Sequence, residues 1–319
     1  MMPAGGGTDR IVAPMSWDVS QLPSFEGRSA LVTGANSGIG LPTALELARR
    51  GAHVRLACRN TAAGERAADQ VRARVPGAQV SVLALDLASL DSVASLAAGW
   101  DGPLDVLVNN AGVMAPPSWK PTKDGFELQF GTNHLGHFAL TGSLLPALLA
   151  APAARVVTVS SLAHRGGGAD VLFGNQQQGY RAQHAYSNSK LANLLFGLEL
   201  QRRAVAAGVA LTSTVAHPGI SATNLFLNKE GLGANPVLRI GGRLVGRVAF
   251  QSAAAGALPS LYAVSAAAPG SYSGPQWPGE FRGHPGPARM SATAQDAGLA
   301  AQLWDLSEEL TGVHYDWPA

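Results

Sequence analysis

Cysteine is almost absent from this sequence: Cys58 is the single one among 319 residues. One thiol excludes an intrachain disulfide framework and a metal site built from several cysteines. It is compatible with a reducing compartment, and we expect a cytoplasmic protein. Charge is scarce as well, because charged residues make up 14% of the chain, the net charge is +2 and no basic run stands out. The electrostatic signature of nucleic-acid binding is therefore missing.

Long hydrophobic runs are also absent. No window holds the ~18 consecutive apolar residues of a membrane span, and the N-terminus has no apolar signal-peptide core. Residues 1–27 are instead rich in Gly, Pro and polar side chains, so we expect a flexible tail there. Hydrophobic residues make up 46% of the chain, which is enough for a sizeable core. Because no linker interrupts the rest, residues 28–319 are expected to form one domain.

From residue 29 onward, short apolar runs alternate with longer segments of helical periodicity. Strands separated by helices of this length predict right-handed βαβ crossovers and a parallel sheet with helices on both faces. The fold class is therefore α/β, a doubly wound Rossmann fold. The predicted strands are 30–33, 53–58, 80–85, 104–108, 155–159 and 210–215, and the predicted helices are 39–50, 61–74, 89–98, 124–149 and 184–207.

A glycine-rich turn follows the first predicted strand. Gly34, Gly38 and Gly40 stand between the end of this strand and the start of a helix, in the pattern T-G-x-x-x-G-x-G. Missing side chains permit a tight turn and let a diphosphate approach the backbone, where free N–H groups and the helix dipole favour negative charge. An ordinary glycine turn is the alternative, but the position directly after strand one favours nucleotide binding.

The end of the second strand indicates which dinucleotide is bound. An acidic residue about 20 positions beyond the glycine turn would bind the ribose 2′-hydroxyl of NAD, whereas an arginine there suits the 2′-phosphate of NADP. This strand ends in Cys58, Arg59 and Asn60, with no acidic residue. A planar guanidinium matches a phosphate, and Ser37 can add a hydroxyl donor. We predict NADP(H), with NAD(H) and a merely solvated Arg59 as the alternatives.

Tyr186 and Lys190 are four positions apart, which places them one turn apart on the same face of the predicted helix. A phenol titrates near pH 10, and a nearby ammonium group favours the phenolate and lowers its pKa. The pair can therefore donate and accept a proton in alcohol or carbonyl chemistry. The spacing alone is a weak signal, and a half-buried tyrosine beside a solvated lysine is the alternative.

These motifs, in this order, resemble the classical short-chain dehydrogenase/reductase family. The resemblance runs from about residue 28 to about residue 316 and implies a catalytic set of Asn133, Ser161, Tyr186 and Lys190. It also implies cofactor contacts after successive strands, at Gly34, Asn36, Ser37, Gly38, Ile39, Gly40, Arg59, Asn60, Asp86, Leu87, Asn110, Ala111, Gly112, Tyr186, Lys190, Pro218, Gly219 and Thr223.

Within the family, the chain resembles retinol-dehydrogenase-like and WW-domain-oxidoreductase-like members. The shared segments read ACRN at 57–60, NHLGHF at 133–138, VSSLAH at 159–164, SKLAN at 189–193 and SEELTG at 307–312.

The family mechanism implies a role for each catalytic residue. Tyr186 exchanges a proton with the substrate oxygen, while Lys190 lowers the tyrosine pKa and holds the nicotinamide ribose. Ser161 binds the substrate oxygen, and Asn133 holds a relay water. Ser160 competes with Ser161 for its role, but neighbouring strand residues point to opposite faces, so only one of them can serve.

Three segments are expected to border the substrate. Ser161 and Tyr186 are 25 positions apart, a longer gap than in many members of the family that the chain resembles. The extra polar segment at 163–183 is expected to frame the pocket entrance. The stretch at 220–250 is expected to form an apolar lid over a hydrophobic aldehyde, ketone or alcohol, with plain core packing as the alternative. The Gly- and Pro-rich segment at 271–287 is expected to cover the site or a subunit contact.

The predicted function is NADP(H)-dependent reduction of a small carbonyl compound to an alcohol, or the reverse. One alternative is a non-catalytic NADP sensor or scaffold on the same fold. Another is a protochlorophyllide-reductase-like enzyme, which would use pocket cysteines, whereas the one cysteine here is on the second strand. The histidines show no metal-ligand spacing, so no metal is expected. The resemblance implies a homodimer or homotetramer paired through the helices at 124–149 and 184–207.

Overall fold

The described residues, 16–220 and 251–318 of a computed structural model, contain strands that alternate with helices along the chain. The strands are β1 (Ser29–Thr33), β2 (His53–Cys58), β3 (Val80–Ala84), β4 (Val106–Asn109), β5 (Ala154–Val159), β6 (Leu211–Ala216), β7 (Tyr272–Pro275) and β8 (Pro285–Pro287). They form one eight-stranded sheet in the order β3-β2-β1-β4-β5-β6-β7-β8. All neighbours are parallel except β7 and β8. The predicted doubly wound α/β fold is confirmed.

Helices pack on both faces of the sheet, as right-handed crossovers require. Side chains of each strand alternate between the two layers: in β1, Ala30 and Val32 face one layer and Leu31 faces the other. The helices are α1 (Gly40–Arg49), α2 (Thr61–Arg74), α3 (Leu90–Ala98), α4 (Leu128–Phe130), α5 (Gly136–Ser143), α6 (Leu145–Ala150), α7 (Ala182–Ala206), α8 (Ala253–Ser265) and α9 (Ala297–Thr311). Helices α1, α2 and α8 cover the first face, while α3, α5 and α7 cover the second.

The N-terminal segment packs on the first face before β1 begins. Trp17, Leu22 and Phe25 are buried, and the Trp17 ring meets the Tyr262 ring edge-on with 5.7 Å between centroids. A segment that buries three large apolar side chains gains enough from the hydrophobic effect to be ordered. Residues 17–25 of the predicted tail are therefore packed on the domain, and residues 1–15 lie outside the described residues.

The predicted long helix at 124–149 is broken into pieces. It begins only at Leu128, and Gly131–Leu135 form a single π-helical turn before α5. The backbone leaves helical angles again at Leu144, where ψ is 4°. Single π-helical turns inside helices are rare and frequently occur at functional sites. This one carries Asn133, one of the predicted catalytic residues.

Strands β7 and β8 are not predicted from the sequence, because both lie in the Gly- and Pro-rich segment at 271–287. Each is short, and β8 forms the antiparallel edge of the sheet. Proline is tolerated on an edge strand because one side of that strand needs no N–H donor. The two strands bring the turn between them to the carboxyl end of β6, where the Ile220 N–H donates to the Phe281 carbonyl at 2.9 Å.

The C-terminal helix α9 packs on α7 and α5. Trp304 stacks on Phe196 with 5.9 Å between ring centroids and meets the Phe138 ring at 5.1 Å. The Tyr315 hydroxyl donates to the Phe138 carbonyl at 2.8 Å. Residues 186–197 of α7 are buried, whereas Val205 near its end is exposed. The pairing of two chains through this helix stays a prediction.

Gly136 begins α5 where this helix touches the loop after β3. A Cβ added to Gly136 would lie 2.4 Å from the Leu87 carbonyl oxygen. We expect Gly136→Ala to lower the free energy of unfolding by about 1–3 kcal/mol, because this backbone clash outweighs the better helix propensity of alanine. Gly99→Ala is the control, since the nearest heavy atom would be 3.5 Å away. Chemical denaturation measures both, and an unchanged stability of Gly136→Ala would contradict the close contact.

Two histidines of the α4–α5 region are buried beside the π-helical turn. His134 lies 2.8 Å from the Ser307 hydroxyl through its Nε2 and packs among the rings of Phe130, Phe138 and Phe196. Burial disfavours the charged imidazolium and lowers the pKa of His134 to about 3 and the pKa of His137 to about 4. Both histidines are therefore neutral in the folded protein at neutral and mildly acidic pH.

These depressed pKa values make stability depend on pH. An unfolded histidine titrates near pH 6.5. Between pH 6.5 and pH 4, these histidines therefore bind protons in the unfolded chain but not in the folded chain, and the unfolding free energy falls as the pH falls. His134→Gln removes one such site, and we expect this fall to become shallower by at most about 1.4 kcal/mol per pH unit. His314→Gln is the control, since its side chain is 69% exposed. Denaturation curves at several pH values measure the slope, and equal slopes for His134→Gln and wild type would refute the assignment.

Candidate active site

A cavity of about 1010 Å³ opens at the carboxyl ends of the strands. The sheet order reverses between β1 and β4, so the chain segments that leave these strands diverge to opposite faces and leave a crevice. Residues that follow six different strands line it, among them Gly34, Arg59, Asp86, Asn110, Ser161 and Pro218. The fold therefore gathers the predicted motifs, which are spread over almost 200 positions of sequence, into one site.

Three glycines shape the wall of the cavity beside β1. Gly34 and Gly38 have φ values of 64° and 59°, a left-handed conformation that glycine adopts without strain. A Cβ on Gly34 would lie 3.0 Å from the Ala111 Cα, and a Cβ on Gly40 would lie 2.6 Å from Asn110 Nδ2. Gly40 does not line the cavity but lets the turn after β1 lie directly against the turn after β4.

The Thr33 hydroxyl joins these two turns. It accepts hydrogen bonds from the Asn110 and Ala111 N–H groups, both at 2.9 Å. With both lone pairs occupied, the hydroxyl donates, and its closest acceptor is His137 Nε2 at 2.9 Å. His137 Nδ1 lies 2.9 Å from the Asn133 carbonyl oxygen, which can only accept, so Nδ1 carries the imidazole proton. The hydrogen bonds thus fix the neutral tautomer of His137 and connect β1 to the π-helical turn.

Tyr186, Ser161 and Lys190 all line the cavity. Ser161 is the side chain that acts on the Tyr186 hydroxyl, and it lowers the pKa of the phenol. The Lys190 ammonium group donates to the Val159 carbonyl at 3.0 Å and lies 6.0 Å from the centre of the Tyr186 ring. Helix α7 therefore delivers the tyrosine and the lysine to the end of β5, where the serine stands.

Burial dominates the electrostatics of this pair. It raises the pKa of Tyr186 to about 12, against a smaller lowering by the hydrogen bond from Ser161. It also lowers the pKa of Lys190 to about 8. The prediction that Lys190 lowers the tyrosine pKa is therefore wrong for the protein alone. The physical reason is that desolvation penalises both charged forms, while the ammonium group is directed to the Val159 carbonyl rather than to the phenol.

Ser160 and Ser161 have different environments. Ser160 is buried, and its hydroxyl donates to the Lys190 carbonyl at 2.7 Å, which attaches α7 to the end of β5. Ser161 is half-buried, caps the 3₁₀ helix Leu162–Gly166 and lowers the pKa of the Tyr186 phenol. The geometry favours Ser161 for contact with a substrate oxygen, since the Ser160 hydroxyl proton is already committed to the backbone.

Asn133 does not line the cavity but lies directly behind its wall. Its Oδ1 accepts from the Val113 N–H at 2.8 Å, and its Nδ2 donates to the Val113 carbonyl and to the Ser189 hydroxyl, both at 2.9 Å. Ser189 in turn donates to the Tyr186 carbonyl at 2.8 Å. The Asn133 side chain thus ties the segment after β4 to α7, and both of its polar atoms have partners within the protein.

Most predicted cofactor contacts lie on the cavity wall. Asn60 does not, because its Oδ1 caps α2 by accepting the Ala63 N–H at 2.9 Å. Thr223 and the predicted lid at 220–250, apart from Ile220, lie outside the described residues. The predicted residues on the wall are Gly34, Asn36, Ser37, Gly38, Ile39, Arg59, Asp86, Leu87, Asn110, Ala111, Gly112, Tyr186, Lys190, Pro218 and Gly219.

The part of the cavity around Tyr186 is apolar. Met114 and Ala163 pack against the Tyr186 side chain, and Ile220 and Phe281 complete the wall. Phe281 belongs to the turn between β7 and β8, so the segment at 271–287 does border the site. Polar side chains also line the cavity, among them Lys190 and Gln183, which lies one helical turn before the tyrosine.

The extra segment at 163–183 packs along α7 more than it frames the entrance. Only its two ends, Ala163 and Gln183, line the cavity. Between them, a Cβ on Gly167 would lie 3.0 Å from the Leu191 side chain, so the backbone there lies directly on the helix. A hydrogen bond of 2.5 Å between His184 Nε2 and Asp170 Oδ2 fastens the middle of the segment.

Gln129 is a buried residue beside the site that the sequence motifs do not reveal. Its Oε1 accepts from the Ala115 N–H at 2.7 Å, and its Nε2 donates to the Ala182 carbonyl at 3.0 Å. Ala115 has a φ of 47°, an uncommon conformation for a residue other than glycine. Gln129 therefore fixes a strained turn that packs against Tyr186, and it joins that turn to the first residue of α7.

The remaining histidines do not point to a metal. His164 and His217 are fully buried, and burial lowers the pKa of each. Within residues 16–220 and 251–318, no three His, Cys, Asp or Glu side chains are grouped in a way that could hold a metal ion. Over the same ranges, no helix has both the length and the apolar character needed to cross a membrane.

Comparison with known proteins places this geometry in a family. A family model described as short chain dehydrogenase matches residues 28–230. Retinol dehydrogenase 13 of Homo sapiens is 40% identical over 297 residues, which are 91% of this chain and 86% of that protein. Polyprenol dehydrogenase of Mus musculus is 40% identical over 299 residues, 92% of this chain and 86% of that protein. A crystal structure of an uncharacterized protein from Mycobacterium paratuberculosis is 46% identical, has a TM-score of 0.78, and the match covers 95% of this chain and 100% of that one. The chain therefore belongs to the short-chain dehydrogenase family, as its motifs predict, and is similar to retinol dehydrogenases within it.

Proposed function

We propose that the protein is an NADP(H)-dependent oxidoreductase that interconverts an apolar aldehyde or ketone and the corresponding alcohol. Membership of the family supports nicotinamide-dependent chemistry between carbonyl and alcohol. The observation that carries the proposal is that Tyr186, Ser161 and Lys190 lie on the wall of a cavity that the glycine turn also lines. An acid–base group and an anion-binding turn therefore share one site.

The residues present fit a dinucleotide. Gly34 and Gly38 leave the turn open, and the N–H groups at the start of α1, together with the helix dipole, favour a diphosphate. Asp86 and Leu87 line the cavity beyond β3, where they would hold the adenine end, and Pro218 and Gly219 line it beyond β6, where they would hold the nicotinamide end. When bound, the cofactor supplies the hydride, and the protein supplies binding, orientation and the proton.

The proton steps belong to three side chains. Tyr186 donates its hydroxyl proton to the carbonyl oxygen during reduction and takes the alcohol proton during oxidation. Ser161 donates a hydrogen bond to the same oxygen as negative charge develops on it. Lys190, with a pKa of about 8, titrates near neutral pH and can return a proton towards the phenol. Asn133 has a positioning role, because its side chain joins Val113 to Ser189 of α7.

Tyr186→Phe tests the acid–base assignment. Removing the hydroxyl leaves the ring packing intact, so we expect kcat to fall at least about 10²-fold while the dissociation constant of NADPH changes little. Steady-state turnover of a panel of aldehydes and ketones and a fluorescence titration with NADPH measure the two effects. Tyr262→Phe, on the opposite face of the sheet, is the control. Full activity of Tyr186→Phe would end this mechanism, and a wild-type protein that binds NADPH without turning over any carbonyl would support the sensor alternative.

The preference for NADP(H) is supported by the end of β2. Arg59 and Ser37 line the cavity, and no acidic side chain follows β2 on the wall to bind a ribose 2′-hydroxyl. A guanidinium group and a hydroxyl are donors that suit the 2′-phosphate. An acidic side chain would repel that phosphate, so the composition of this wall favours the phosphorylated dinucleotide.

Arg59→Ala tests the preference. We expect the KM for NADPH to rise about 10-fold to 100-fold, because a charge-assisted hydrogen bond to the phosphate is lost, while the KM for NADH changes little. Initial rates with both cofactors at a fixed aldehyde concentration measure the change. Arg66→Ala, an exposed arginine of α2, is the control. Equal losses with NADPH and NADH would contradict a phosphate contact at Arg59.

An apolar substrate is supported by the lining around Tyr186. Met114, Ala163, Ile220 and Phe281 offer a ligand hydrocarbon contacts and few hydrogen bonds. Pockets of this kind obtain affinity from burial of apolar surface and orientation from a few polar groups, here Ser161 and Tyr186. Retinol and polyprenol, which occur in the names of the two relatives, are both long hydrocarbon alcohols. We therefore place the substrate among aldehydes, ketones or alcohols with an extended apolar part.

A further inference from the structure

We propose that the turn at residues 278–283, anchored by the Glu280 carboxylate, is a specificity-determining wall on which Phe281 contacts the apolar part of the substrate. The proposal rests on the proposed function and deepens it, because it names the residue that contacts the hydrocarbon part of the substrate. The turn connects β7 to β8, neither of which is predicted from the sequence motifs.

Two groups from separate parts of the chain hold the Glu280 carboxylate. Arg165 Nη2 lies 2.6 Å from Oε2, and the Arg289 N–H donates to Oε1 at 3.0 Å. His217 Nε2 lies 3.4 Å from Oε2 without forming a hydrogen bond, and burial lowers the pKa of His217 to about 3. Arg165 stands in the 3₁₀ helix that Ser161 caps, and Arg289 follows β8. One carboxylate therefore connects the turn to the segment of the catalytic serine and to the segment after β8.

The backbone of the turn is held as firmly as its side chain. Glu280 has a φ of 60°, a left-handed conformation that costs a non-glycine residue free energy and persists where surrounding contacts enforce it. The Phe281 carbonyl accepts from the Ile220 N–H at 2.9 Å. A Cβ on Gly219 would lie 2.3 Å from the Phe281 carbonyl oxygen, so the turn lies directly on the residues after β6 that line the cavity. These contacts hold the turn in a defined position beside the cavity.

Phe281 is the residue of this turn that lines the cavity. It is 50% exposed, although large aromatic side chains are usually buried, and it lies on the cavity wall with Ile220. An apolar ligand that covers it removes this hydrocarbon surface from water, which is favourable in proportion to the area covered. A long hydrocarbon chain can reach Phe281 and Tyr186 together, whereas a short one contacts the catalytic residues alone. Phe281 should therefore select by chain length.

The test compares a short and a long straight-chain aldehyde, butanal and decanal, with NADPH as reductant. We expect Phe281→Ala to lower kcat/KM for decanal about 10-fold, mainly through KM, and to leave butanal within about twofold, because only the long chain loses a hydrophobic contact. Phe173→Ala is the matched control, since Phe173 is also an exposed aromatic residue (60%) but does not line the cavity. It should leave both aldehydes unchanged.

A second pair of variants tests the anchor separately from the ring. Glu280→Gln keeps the shape of the side chain but removes its charge, and we expect a chain-length-selective loss of about threefold or more, because the turn is less firmly placed. Glu309→Gln, an exposed residue of α9, is the control. Melting temperatures of all variants identify any that fail to fold, and Phe281→Leu, which retains an apolar side chain, should recover part of the decanal activity.

The two levels of the proposal fail in different ways. A wild-type protein that turns over neither aldehyde with either cofactor overturns the proposed function, and the wall with it. A wild-type protein that is active while folded Phe281→Ala loses both aldehydes equally, or neither, overturns the wall alone. Selective loss of decanal in Phe281→Ala, with Phe173→Ala unchanged, supports it.

Discussion

Close contact between the turns after β1 and β4 is the constraint on which the site depends. Gly34 and Gly40 allow the two turns to touch, and the Thr33 hydroxyl fills the gap with hydrogen bonds to the Asn110 and Ala111 N–H groups. Because these turns lead to opposite faces of the sheet, the crevice between them is fixed by backbone packing. Every other part of the site is placed relative to this junction.

Burial determines the protonation chemistry beside that junction. The phenol and the ammonium group of the Tyr186–Lys190 pair are both removed from water, so each resists its charged form. The pair is held by contacts that bind its backbone and its neighbours: Ser160 attaches α7 to β5, and Asn133 attaches it to Val113. These hydrogen bonds therefore position the helix, and Tyr186 and Ser161 both line the cavity.

The C-terminal part of the chain does two things that shape the rest. Helix α9 packs on α7 through Trp304, which stacks on Phe196 of the helix that carries the catalytic pair. Strands β7 and β8 extend the sheet and bring Phe281 to the edge of the cavity. Both arrangements depend on contacts more than 100 positions apart in sequence, such as that between Arg165 and Glu280.

The sequence by itself determined the order of β1 to β6 and of the helices between them, the glycine turn and the Tyr186–Lys190 spacing. These are local features, because apolar runs, glycine and helical periodicity act over a few neighbouring residues. The tertiary structure alone decided the tyrosine pKa, the role of Asn60 as a helix cap, and the partners of Thr33, His137, Gln129 and Glu280. Desolvation and hydrogen bonding between distant segments depend on which elements lie side by side, and no pattern along the chain contains that information.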